Sequence, residues 1–163
     1  MELVPRRIIL HCSATRDSKT YSWDDIRDYH INHNGWVDIG YHYGIEEFDN
    51  DILVMRGRPP WEVGAHCRAG GRNYDSLGVC VVGDYDEEPP DLRKYTITVE
   101  FLASLCTAFH ILPEHVHGHR EFESAKTCPG LRWNLDQLRE DVSSKLLTIG
   151  GQSLNLIANK TFW

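Results

Sequence analysis

Short apolar runs and helix-spaced apolar stripes take turns along the chain. Residues 6–12, Arg-Arg-Ile-Ile-Leu-His-Cys, read as a buried strand whose end delivers His11. Ser22 stands before Trp-Asp-Asp-Ile-Arg-Asp-Tyr-His-Ile with an acid at Asp25, and Asn34-Gly35 follows as a stop, which predicts a capped helix of about three turns. Residues 41–48 and 52–56 flank Asp49-Asn50-Asp51 and predict a hairpin. Gly, Arg and Asn dominate 64–75, an exposed loop, whereas Ser76–Gly83 is almost continuously apolar, as a central strand is. The acid- and proline-rich stretch from Asp84 to Asp91 is loop. Phe101, Leu102, Leu105, Cys106 and Phe109 then share one helical face before Pro113, and Val116–His119 is a short strand. Asn134 caps a last helix striped by Leu135, Leu138, Val142 and Leu146. Strands and helices interleave, so the chain is expected to be a single α/β domain with a central mixed sheet flanked by helices.

That domain takes in residues 1–147, with no internal repeat or low-complexity segment. Residues 148–163 follow as a C-terminal tail: Gly150-Gly151 marks a flexible joint, and the apolar residues beyond it need cover that the pattern does not identify. No run of about 18 apolar residues exists, so no membrane insertion is expected. A net charge of −7 argues against a general nucleic-acid binder, which needs a basic surface. The apolar run after Arg6-Arg7 meets His11 and Cys12 too soon for a signal peptide. Five cysteines without paired spacing fit reduced thiols, so the protein is expected in the cytoplasm of the producing or host cell.

Nine histidines are many for 163 residues, and they are unevenly spread. His11 ends a strand, His110, His115, His117 and His119 crowd one region, and Lys126 and Cys128 lie just beyond. A catalytic zinc takes three nitrogen or sulfur ligands and keeps a fourth position for water, so strand-end histidines and a cysteine suit it. The spacing alone is weak, because it forms no compact His-x-x-x-His or Cys-x-x-Cys pattern.

Five segments in order carry more: Leu10-His-Cys-Ser-Ala-Thr15, Gly35-Trp-Val-Asp-Ile-Gly-Tyr-His42, Val63-Gly-Ala-His66, Ser76–Gly83, and Gly118-His-Arg-Glu121 through Lys126-Thr-Cys-Pro129. In them the chain resembles the type 2 N-acetylmuramoyl-L-alanine amidases, which include the peptidoglycan recognition proteins, and most of all the small amidase-type phage lysozymes. The resemblance runs from about residue 6 to 147. It implies hydrolysis of the amide between the lactyl group of muramic acid and L-alanine in bacterial peptidoglycan, by a monomeric phage or prophage endolysin. It implies one Zn2+ per chain, held by His11, His119 and Cys128, with Tyr41 and Lys126 as catalytic residues. A tyrosine hydroxyl can bond the tetrahedral intermediate and a lysine can stabilise its oxyanion. His66 and Asn73 are expected along the substrate groove, His42 packed or behind the metal, and His115 and His117 outside the ligand set. Binding to a phage RNA polymerase would also accord with the resemblance, though no sequence feature points to a surface for it. Without an export signal the enzyme would reach the wall through a membrane lesion. Two rival readings share the fold: a recognition module that binds without cutting, disfavoured by the presence of Cys128, and a cytosolic amidase acting on soluble muropeptides.

Overall fold

A computed structural model describes residues 2–15 and 22–158, with side chains through residue 148. Five strands, β1 (Arg7–Cys12), β2 (Tyr43–Phe48), β3 (Asp51–Arg56), β4 (Ser76–Val81) and β5 (Val116–Gly118), form one mixed sheet in the order β3-β2-β4-β1-β5. The nearly continuous apolar run does form the central strand, and every residue of β4 is buried. β1 lies parallel to both β4 and β5, and β2 is parallel to β4; only β3 runs antiparallel, joined to β2 by the expected hairpin. Its turn residues Asp49 and Asn50 sit at φ 50° and 70°, the left-handed pair that a two-residue hairpin requires and that Asp and Asn tolerate best.

Alternation along the strands sorts side chains between two faces. Ile8, Leu10, Leu77, Val79 and Val81 face one way, into a core closed by α2 (Leu92–Phe109) and α3 (beginning at Leu135) through Leu102, Ala103, Leu105, Cys106, Leu138 and Val142. Asp91 caps α2 by accepting from the N–H groups of Arg93 and Lys94. Asn134 Oδ1 accepts from Gln137 N–H at the start of α3, as the sequence predicts. α3 runs to Ala158, straight through Gly150-Gly151, where the sequence led us to expect a joint. Glycine inside a helix costs only about 1 kcal/mol relative to alanine, which a long helix absorbs.

The opposite face carries a smaller core of Trp23, Ile26, Ile39, Cys80 and Val82. α1 (Trp23–Asp28) supplies its first two residues and starts with the predicted reciprocal cap between Ser22 and Asp25; a wider π turn at Tyr29–His33 carries it on to Asn34. Two strand glycines make room on this face. A Cβ on Gly44 would stand 2.4 Å from the Trp23 ring, and one on Gly78 would stand 2.5 Å from the His66 ring. Both rings therefore come close to the sheet backbone, where side chains would otherwise hold them off.

Candidate metal centre

β1 and β5 are in register at Leu10 and Gly118, so the next residue of each chain, His11 and His119, emerges at the same edge of the sheet. Their ring centroids are 4.7 Å apart. The third member arrives from the loop after β5. Cys128 Sγ lies 3.5 Å from His11 Nδ1 and accepts the N–H of Cys12 at 3.3 Å. Arg120 pins that loop: its N–H donates to the Cys128 carbonyl at 2.8 Å, and its guanidinium donates to the carbonyls of Gly130 and Trp133. The ligand atoms of His11, His119 and Cys128 all lie within 4.8 Å of one another, the one group of this kind among the described residues. Donors at about 2.0–2.3 Å from one zinc ion stand at separations of this order.

The hydrogen bonds behind His11 decide which nitrogen it offers. His66 Nε2 faces the carbonyl of Ser76 at 3.4 Å, which can only accept, so that nitrogen carries the proton. His66 Nδ1 is then an acceptor, and His11 Nε2 donates to it at 3.0 Å. His11 Nδ1 is left with a bare lone pair directed at Cys128, the tautomer a metal needs. Burial first, and then its histidine neighbours His66, His119 and His42, hold His11 well below the usual imidazole range, so it stays neutral. Burial likewise lowers His66 to about 3 and His42 to about 4. His119 is lowered by burial and by Lys126, against the pull of Glu123. A hydrogen bond with Cys12 and burial keep the Cys128 thiol protonated until a cation displaces its proton. Two imidazoles and a thiol, all within reach of one another, make a donor set that fits zinc.

Tyr41 and Lys126 both border this group. The Tyr41 ring is half-buried with its centroid 5.1 Å from that of His11. Burial and the nearby thiols of Cys80, Cys128 and Cys12 push its phenol well above the normal tyrosine range, so it remains an O–H donor. Lys126 is exposed on the turn beside His119, its N–H held by the Glu123 carbonyl at 2.9 Å. The structure ties His66 and Asn73, both expected along the groove, to the protein itself. His66 is 8% exposed and spends both ring nitrogens on the protein, while Asn73 Oδ1 accepts from the N–H groups of His66 and Cys67. Together they form a brace behind His11. His42 is packed, accepting from Gly78 N–H and donating to the Glu62 carbonyl. His117 turns to Glu121 and His115 to Glu114, away from the donor group. Arg120 and the brace were missed in the sequence; the one cue was glycine at position 78 inside an otherwise apolar strand.

An α/β sheet that presents two histidines and a cysteine at one edge, with a phenol and an ammonium alongside, is a candidate metal site. Comparison with known proteins narrows it. Residues 2–131 match the N-acetylmuramoyl-L-alanine amidase family, and the chain belongs to that family. It is therefore an amide hydrolase. It is 41% identical to the endolysin of Escherichia phage T7 over 132 residues, covering 77% of this chain and 83% of that protein. The structure is similar to the Ph2119 endolysin from a Thermus scotoductus bacteriophage, with a TM-score of 0.69 and 28% identity over 85% of this chain and 84% of that one. It is similar also to Drosophila PGRP-LB, with a TM-score of 0.66 and 28% identity over 88% and 82% of the two chains. Among the described residues no helix is long and apolar enough to cross a membrane.

Proposed function

We propose that the chain is a zinc-dependent endolysin that cuts the lactyl–L-alanine amide of peptidoglycan, with His11, His119 and Cys128 holding one zinc ion. The observation that carries this reading is the convergence of those three donors from β1, the end of β5 and the following loop. When bound, zinc supplies a polarised carbonyl and a water acidified toward neutrality. The protein's own groups do the rest. His66 fixes the tautomer of His11, so that Nδ1 is presented to the metal without a proton to lose. Tyr41, kept protonated by its surroundings, donates its O–H to the oxygen that gathers charge as the amide is attacked. Lys126 stands in solvent on the same edge and adds positive charge there. Tyr41, half-buried, acts where water is partly excluded, which is where such a donor is strongest. The likeness to phage endolysins favours intact wall as substrate over soluble fragments, and sacculi tested beside purified muropeptides separate the two.

The test is metal content. Purified protein should hold about one zinc per chain, as three ligands make one site. Chelation should abolish wall lysis and added zinc should restore it. Cys128→Ser, with a neutral hydroxyl for a thiolate, should lose most of the metal. Full zinc occupancy and activity in that variant would remove Cys128 from the ligand set.

A further inference from the structure

We propose that Glu123 is a positioning residue for the metal: its carboxylate holds the Nε2–H of His119, so that Nδ1 of that ring faces the ion. The inference rests on the zinc reading above. The turn after β5 places the group. His119 O accepts the N–H of Phe122 at 3.0 Å and of Glu123 at 3.2 Å, which stacks residue 123 over residue 119. Glu123 Oε2 then lies 3.3 Å from His119 Nε2. That distance suits an ion pair but falls short of a well-formed hydrogen bond, and Nε2 is buried with no other polar partner. A buried N–H without an acceptor is costly, and this carboxylate is the acceptor within reach.

The arrangement repeats what the structure does with His11. There, too, Nε2 points back into the protein, at His66, and Nδ1 points to the shared donor group. The two ligand rings are thus braced from behind by different chemistry: a buried neutral imidazole for one, a half-exposed carboxylate for the other. A carboxylate behind a metal-bound imidazole raises its basicity and fixes its tautomer. The same residue, through its carbonyl, holds the N–H of Lys126, so one turn sets both a ligand and the neighbouring ammonium.

The experiment is zinc affinity by competition with a chromophoric chelator, for the wild-type protein, Glu123→Ala, Glu123→Gln and Glu88→Ala. Glu88 is exposed in the acidic loop, and its loss controls for net charge. Glu123→Ala should weaken zinc binding about 10–100-fold, the usual effect of losing such a partner. Glu123→Gln, which keeps a carbonyl acceptor, should fall between it and wild type. Glu88→Ala should bind as wild type does, and Glu123→Gln, which keeps an acceptor for the buried N–H, should hold the parent's metal-free Tm. Zinc affinity within twofold of wild type for both Glu123 variants would overturn the proposal. So would an equal loss in Glu88→Ala, which would reduce the effect to long-range charge. A wild-type protein that takes up no zinc would instead overturn the zinc reading itself.

Discussion

Gly78→Ala probes the brace behind His11 without touching any ligand. The added Cβ would stand 2.5 Å from His66 Cγ, 2.6 Å from Cδ2 and 2.9 Å from Nδ1. Ordinary contact needs about 3.5 Å, so the ring must retreat by roughly 1 Å from a buried site. Overpacking of this kind costs about 1–3 kcal/mol. The retreat also stretches the 3.0 Å bond to His11 Nε2, and a buried donor left unpaired costs about 1–3 kcal/mol more. The sum is roughly 2–6 kcal/mol, or about 4–24 °C in Tm for a domain of this size. Zinc affinity should fall as well, because the His11 tautomer is no longer fixed. Thermal unfolding and chelator competition measure the two effects, and the His66→Ala background isolates their cause. With the ring gone, Gly78→Ala should cost far less than in the parent. An equal cost in both backgrounds, or a Tm unchanged in Gly78→Ala alone, would refute the argument.

Tyr41→Phe and Lys126→Ala should keep zinc content and Tm near the parent values while each cuts wall lysis on the order of 100-fold, as loss of an oxyanion donor does. Near-normal lysis by Tyr41→Phe would take that residue out of the mechanism. If the two act on one intermediate, the double variant should be less damaged than the product of the singles. Acid should destabilise the fold through His42, whose folded pKa of about 4 lies below its unfolded value near 6.5. The unfolded chain then binds the extra proton, so stability is full above about pH 6.5 and falls by about 1.4 kcal/mol per unit on the way down to about pH 4. Urea midpoints across that range should show a shallower slope in His42→Gln; an unchanged slope would mean that His42 is not the titrating group.

Much of the fold was legible because local physics writes it into neighbouring residues. The Ser22–Asp25 cap, the Asp49-Asn50 turn and the continuous run of β4 each need only a few adjacent positions, and each formed where expected. The donor group was legible through family resemblance rather than spacing, since His11, His119 and Cys128 meet only after β1 and β5 pair in register. What stayed hidden depends on contacts across that register. Nothing local marks a histidine as bonded to a ligand ring, so the bond from His11 to His66 and the Asn73 contact that holds His66 were not legible in the sequence. Arg120 sits beside a ligand, yet its work is done on carbonyls seven or more residues further along the chain. Gly150-Gly151 read as a joint because glycine propensity is a weak prior against the momentum of a packed helix.

The bond itself is the most direct test. Purified peptidoglycan should be digested with the zinc-loaded protein, with the chelated protein, and with the chelated protein resupplied with zinc, and the products read by mass spectrometry. The account predicts free stem peptides beginning with L-alanine and glycan strands left uncut, in the first and third digests only. New reducing sugar ends, or the same peptides released by the chelated protein, would contradict it.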